Sequence, residues 1–256
     1  QAKFWFNCNP EHPSHWFYKE WIEKSEEKNA QYLHFTMEDN PSLSPAVLQR
    51  YRALYSGVFY RRYVLGEWVA AHGAVYPMFD VGQHVVDTLP EHFSRYVISC
   101  DYGTSNPSSF RLWGHADGIW YRIREYYHSS REDGNVKTDE EYCYALEELA
   151  GQLPIEAVLV DPSAASFIQC IRRRGRFSVL PAENSVLNGI RLVSSALSQR
   201  LFLFHSSCKR SIEEFSLYRW NLNSSREEPL QVHDHAMDEI RYFAQYINQE
   251  RGEGFF

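Results

Sequence analysis

An α/β fold with a mixed sheet flanked by helices is predicted by three observations. Residues 95–127 hold three β-rich runs in succession. Helix and strand patterns then alternate along the rest of the chain. Acidic residues close two strands and open a late helix. The first run, Tyr96-Val97-Ile98, has the short apolar character of a buried strand and ends in Asp101, before the turn-forming Gly103-Thr104-Ser105-Asn106-Pro107. The next two, 109–114 and 119–127, are joined by Ala116-Asp117-Gly118, and Asp-Gly between aromatic-rich runs signals a hairpin. Thr138 with Glu141 makes a capping box for a helix over 138–150. Ala157-Val158-Leu159-Val160 is a fourth strand, closed by Asp161-Pro162, and Ser163 caps a helix reaching 174. A strand over 177–180, a helix over 187–199, a strand over 201–204 and a helix over 207–217 follow. A polar hairpin arm over 220–230, placed to limit access to the cleft, and a last helix over 234–249 complete the order. Three antiparallel strands and then alternating helices and strands is the element order of an RNase H-like fold.

Three segments are expected: 1–70, a connector over 71–94, and the RNase H-like domain over 95–256. In the first, Phe4-Trp5-Phe6 reads as a strand end, 14–24 as an amphipathic helix capped by Ser14, and 32–36 as a short strand. Pro45 opens a helix, and a second short helix covers about 57–65. No GxxxxGK[ST] phosphate loop occurs. In the connector, Gly73, Pro77, Gly82 and Pro90 interrupt apolar groups around Val75, Tyr76, Met78 and Phe79, a pattern of packing against a neighbour.

Composition narrows the function. Hydrophobic residues make up 44% and aromatics 16%, ample for a packed core. No apolar run approaches the roughly 18 residues of a membrane-spanning helix. The N-terminal residues lack a signal-peptide pattern and an initiator Met, so the chain reads as a piece of a longer one. The five cysteines, Cys8, Cys100, Cys143, Cys170 and Cys208, are scattered without a CxxC pair, which argues against a disulfide framework and for a reducing intracellular setting. A zinc site from His233, His235 and a cysteine lacks partner spacing. The net charge of −7 argues against coating nucleic acid by charge alone, yet suits a cluster of metal-binding acids.

The acids form such a set. Adjacent strand ends lie about 5 Å apart, so Asp101 and Asp161 can share metal ions. His233-Asp234-His235-Ala236-Met237-Asp238-Glu239 opens the last helix, and Asp234 and Asp238 share a face at i, i+4. Hydrolysis of a phosphodiester by two Mg²⁺ or Mn²⁺ ions needs carboxylates of this kind, with a histidine nearby to move a proton or support a ligand. Taken alone, Asp234 reads equally well as a helix N-cap. Arg172, Arg173, Arg174 and Arg176 form the densest basic group, followed by Lys209, Arg210, Arg219 and Arg226. These suit phosphate contacts, and the 172–176 group reads equally well as a solvated helix end.

Asp101-Tyr102-Gly103, Val160-Asp161-Pro162-Ser163 and the run from Asp234 to Tyr242 resemble, in order, the three nuclease motifs of the large terminase subunit of tailed bacteriophages. The resemblance implies Mg²⁺- or Mn²⁺-dependent cleavage of concatemeric double-stranded DNA, metal-binding roles for Asp101, Asp161 and Asp238, and His235 close to the site. Phe6-Asn7-Cys8-Asn9-Pro10, Glu38-Asp39-Asn40-Pro41 and Gly66-Glu67-Trp68 resemble the rear part of that family's packaging ATPase. The nucleotide-binding front is lacking, so ATP is expected to act only in the full-length motor. The implied partners are double-stranded DNA, the procapsid portal protein and the small terminase subunit, in the host cytoplasm. Two other readings compete: an RNase H-like resolvase, transposase or repair nuclease, and a non-catalytic module docking the portal or small subunit.

Overall fold

β3 (Ser108–Ala116) is the one strand that runs against its neighbours in a seven-stranded sheet ordered β1-β7-β4-β3-β2-β5-β6. The others are β1 (Val85–Val86), β2 (Arg95–Asp101), β4 (Ile119–His128), β5 (Ile155–Val160), β6 (Val179–Pro181) and β7 (Phe202–His205). The pairs β2–β5, β5–β6, β4–β7 and β1–β7 are parallel, so six strands present their carboxyl ends on one edge. This computed structural model describes residues 3–103, 107–224, 227–232 and 234–250. Thr104, Ser105 and Asn106 of the expected turn, with Arg226 and His233, lie outside the described residues.

The predicted hairpin forms at Asp117-Gly118, where both residues take positive φ (51° and 81°), the backbone that a tight two-residue hairpin turn demands. The described chain holds nine α-helices: α1 (Pro45–Leu54), α2 (Gly57–Tyr63), α3 (Val81–His84), α4 (Ser130–Asp133), α5 (Asp139–Ala150), α6 (Ala165–Arg174), α7 (Val186–Ser198), α8 (Lys209–Leu217) and α9 (His235–Glu250). The capping box is present on α5: the Thr138 side chain accepts from the Glu141 N–H, and Glu141 accepts from the Thr138 N–H at 2.7 Å. Ser163 does not cap α6. Ala164 holds that position without a side-chain bond, and the Ser163 N–H instead donates to Asp161 Oδ1 at 2.8 Å.

Alternation along β2 separates two cores. Val97 packs with Trp113, Phe204 and Phe243 among the residues of α7, α8 and α9, whereas Ile98 and Cys100 pack with Phe110, Phe167 and Leu146 from the side of α5 and α6. Residues 59–76 join the first core through Phe59, Ala71, Val75 and Tyr76, as the apolar groups of the connector lead one to expect. α2 is also tied to the 220–230 arm. Arg62, itself buried, donates to both carboxylate oxygens of Glu227 at 2.6 and 2.9 Å. A bridge between Trp220 and Pro229 closes that arm.

The first 44 residues depart from expectation. Between 14 and 24 the structure has a π-helical turn, Tyr18–Ile22, and Ser14 bonds to His12 instead of capping. Neither 4–6 nor 32–36 pairs as a strand, and Phe4, Trp5 and Phe35 stay exposed. A strand needs a partner for its backbone groups, and the described residues offer these segments none. Among the described residues, no helix is long and apolar enough to cross a membrane.

Candidate active site

The carboxyl edge of the sheet gathers the acids. Asp101 closes β2, Asp161 follows β5, and α9 begins against them and runs back along the sheet. His235, the first residue of α9, stands between two carboxylates: its Nδ1 is 2.9 Å from Asp101 Oδ2 and its Nε2 is 4.0 Å from Asp234 Oδ1. Burial works against a charged imidazole here. The hydrogen bond and charge of Asp101, with Asp234 behind it, outweigh that effect and raise the pKa of His235.

Asp238 sits one turn further along α9. Burial, and then the charges of Asp101 and Asp234, push its pKa up to about 7, although Arg241 lies 2.7 Å away and opposes the shift. Burial also raises Asp234, with Asp101 adding to the effect. Asp161 differs. Burial would raise it, but bonds from Ser163, Asn184 and Tyr242 prevail and hold it below the usual carboxylate range. Its Oδ2 accepts from Asn184 Nδ2 and from the Tyr242 hydroxyl, each at 3.2 Å. Tyr242 lies under the combined field of Asp101, Asp238 and Asp161. That field and, above all, burial raise its pKa and keep it a neutral donor. His235, Asp238, Arg241 and Tyr242 thus project from one face of α9 at i, i+3, i+6 and i+7.

Asp234 and Asp238, both raised by burial and then by the neighbouring carboxylate charge, offer hard oxygen donors beside Asp101 and fit a divalent cation, whose charge relieves the repulsion. Among the described residues no three Asp, Glu, His or Cys side chains converge closely enough to hold one ion together. Asp101 is engaged by His235, Asp238 by Arg241, and Asp161 by Tyr242 and Asn184.

The basic residues divide. α6 leads away from Asp161, and its ten residues span about 15 Å. Arg174 pairs there with Glu147 at 2.7 Å, Arg173 pairs with Glu140 at 3.2 Å, and Arg176 donates to the carbonyl of Gly151, ahead of β5. Arg172 is exposed on the same turn. The 172–176 group therefore lies at the edge opposite the acids. Lys209 and Arg210 open α8 just after β7, on the acidic edge. Arg210 stacks 4.9 Å over Tyr127, which pairs with Ser109, which in turn pairs with Asp101. Two strand spacings, about 10 Å, separate that level of β4 from Asp101. Arg219 donates to the Tyr218 carbonyl at 3.4 Å, beyond the end of α8.

Sequence reasoning assigned no role to Arg241, Tyr242, Asn184, Glu214 or Glu239. Arg241 and Tyr242 carried a signal, since they follow Asp238 at i+3 and i+4. Glu214 carried none: from α8 it accepts the Ala236 N–H at 2.7 Å and so holds the first turn of α9.

Comparison with known proteins agrees with this architecture. The family described as terminase large subunit, T4-like-virus type, N-terminal, matches residues 3–83. The large terminase subunit of Escherichia phage T5 is 23% identical over 224 residues, covering 82% of this chain and 50% of that protein. The large terminase of a thermophilic bacteriophage superposes with a TM-score of 0.92 at 46% identity, over 96% of this chain and 62% of its own. The large terminase nuclease of the thermophilic phage G20c, solved with bound cobalt, shares the fold at 13% identity and a TM-score of 0.52, over 67% of this chain and 96% of its own. The same nuclease has been solved with bound magnesium. The chain spans one half to under two thirds of the full-length relatives it matches.

Proposed function

We propose that this chain, a homologue of phage large terminase subunits, is the DNA-cutting part of a packaging motor, a metal-dependent endonuclease acting on double-stranded DNA. The observation that carries the reading is the placement of Asp101, Asp161 and Asp238 on the carboxyl edge, from two strand ends and one helix, with Tyr242 bonded to Asp161 and within the charge field of all three. Kinship with proteins solved as terminase nucleases, in metal-bound form, supports it.

In this reading Asp101, Asp161, Asp234 and Asp238 hold the divalent ions. Bound Mg²⁺ or Mn²⁺ supplies an activated water and neutralises charge on the phosphate. His235 orients Asp101 and holds a proton at Nδ1. Arg241 fixes the rotamer of Asp238, and Tyr242 with Asn184 fixes that of Asp161. Lys209 and Arg210 meet the DNA backbone on the acidic edge. Residues 1–70 are the rear of the ATPase domain and 71–94 its connector, with 95–256 as the nuclease. ATP, the portal and the small subunit belong to the full-length assembly.

The test is incubation of the purified chain with supercoiled plasmid in EDTA, Mg²⁺ or Mn²⁺, beside Asp161→Asn. Nicking and linearisation that need metal and vanish in the variant are expected. Full activity of Asp161→Asn would remove the assignment. A requirement for branched DNA would move it to a resolvase.

A further inference from the structure

Besides the ion pair of Arg95 with Glu250 at the far end of both elements, two contacts fasten the start of α9 to β2, and their spacings match. At the edge, His235 meets Asp101 at 2.9 Å; deeper in, the Ser99 hydroxyl donates to the Glu239 carboxylate. On the helix, 235 and 239 are one turn apart, a rise of about 6 Å. On the strand, 99 and 101 point to one face, about 6.6 Å apart. The two elements run in opposite directions, so one helical turn lies along one strand repeat with a polar contact at each end. A helix displaced by one residue would rotate about 100° and break both contacts.

Glu239 is fully buried and is the hub of a polar network. Its Oε1 lies 2.5 Å from Arg122 Nη2 and 3.8 Å from Arg111 Nε. Trp113 Nε1 donates to Ser99 Oγ at 3.0 Å. Arg111 and Arg122 both donate to Ser211 Oγ, at 2.9 and 2.7 Å, and Ser211 donates to Glu125, which also accepts from the N–H groups at the start of α8. The network thereby joins β2, β3, β4, α8 and α9. Apolar residues of equal volume generally stabilise a core at least as well as a buried ion pair, so such a network earns its place by fixing position. What it fixes is adjacent: Asp238 precedes Glu239, and His235 lies one turn before it.

We propose that Glu239 is a positioning residue, which sets the register of α9 on β2 so that Asp234, His235 and Asp238 meet Asp101. The proposal rests on the metal-site reading above for its consequence, but not for its geometry.

The test compares the purified chain with Glu239→Asp, which draws the carboxylate back by one methylene, Ser99→Ala, which removes one hydroxyl, and Glu239→Gln, which retains an acceptor for Ser99. Amide hydrogen exchange on the metal-free chain is the first readout. Residues 236–240 should exchange roughly tenfold faster in Glu239→Asp and Ser99→Ala, with α5 unchanged, and Glu239→Gln should fall between them and the wild type. Mn²⁺ affinity by calorimetry should fall by about tenfold in the same two variants. On plasmid, kcat counted per folded molecule, with the folded fraction measured by circular dichroism, should fall by about tenfold while KM for DNA stays within about twofold. Wild-type exchange at 236–240 in the folded variants overturns the proposal. If the Glu239 variants fail to fold, Ser99→Ala alone decides. A wild-type chain that neither binds Mn²⁺ nor cuts DNA would defeat the nuclease reading, and the exchange measurement would still judge the register.

Discussion

The imidazole of His235 is gripped at Nδ1 by Asp101, 2.9 Å away, and faces Asp234 across 4.0 Å at Nε2. The raised pKa of His235 therefore belongs to a cluster that also holds Asp238, pushed up to about 7. A histidine with a raised folded pKa lends stability that is complete below its unfolded pKa and is lost as pH climbs through the folded one. An aspartate raised on folding acts in the same direction, because the native state then binds more protons than the unfolded chain between the two pKa values. Asp234, Glu214 and Glu239 are raised as well, each chiefly by burial. The metal-free chain should thus lose thermal stability as pH rises from the ordinary carboxylate range through about 7, with His235 continuing the loss above its ordinary value. Saturating Mn²⁺, which binds the ionised carboxylates, should flatten or reverse that slope, and Asp238→Asn should reduce it in EDTA. Calorimetry across pH with and without metal reads all three, and a metal-free Tm that rises over this range contradicts the charge assignment.

Tyr242 gives a narrower test at Asp161. Its hydroxyl is one of two side-chain donors to Oδ2, and removal leaves the Asn184 amide there. Tyr242→Phe should cost about 1 kcal/mol, the worth of one hydrogen bond. It should raise the Asp161 pKa and slow metal-dependent cleavage by about tenfold, as loss of a ligand's orienting partner does. Urea unfolding and plasmid assays separate these effects. Unchanged cleavage would mean that Asn184 and Ser163 suffice to orient Asp161.

The division of the cations predicts which matter for DNA. Neutralising Arg173 or Arg174 breaks pairs with Glu140 and Glu147 at the far edge and should leave plasmid cleavage within about twofold. Lys209→Ala and Arg210→Ala, on the acidic edge, should each weaken DNA binding and lower the salt dependence of affinity by about one unit of slope. Fluorescence anisotropy over a salt series measures this, and the reverse ranking would place the DNA across the α5–α6 face.

What was legible in the sequence was local or periodic. Asp117-Gly118, the Thr138–Glu141 box and the two strand-end aspartates each carry their meaning within a few residues, and all are in place. The helix expected over 14–24 forms only over 16–22, most of it as the π-helical turn Tyr18–Ile22; Phe17 and Tyr18 find aromatic partners in Phe6 and Trp68, whereas Trp16 stays exposed. β1 was missed because two residues hold no period, and only the edge of β7 defines them as a strand. The basic run 172–176 illustrates the same limit at the site. Its density is a sequence property, but the direction of α6 away from Asp161, and the acids of α5 facing it, belong to the fold. Arg122 and Arg111, to which the sequence attached no role, are the buried partners of Glu239, a relation that spans more than a hundred residues.

Gly189 sets two opposing effects against each other. It lies inside α7, where replacement by alanine alone favours a helix by about 1 kcal/mol. Yet a Cβ built there would stand 2.7 Å from Arg241 Cβ and 3.0 Å from Arg241 Cδ. The first of these atoms is fixed to the α9 backbone and cannot swing aside, so α7 and α9 must part. Overpacking of this kind typically costs about 1–3 kcal/mol, which exceeds the propensity gain. Arg241 also holds Asp238 at 2.7 Å and the Tyr218 hydroxyl at 2.8 Å, so its displacement should reach the acid cluster. Gly189→Ala should therefore lower stability in urea and weaken Mn²⁺ binding together. A variant that is more stable than the wild type, with unchanged metal affinity, would show that α9 can yield at this point without disturbing Asp238.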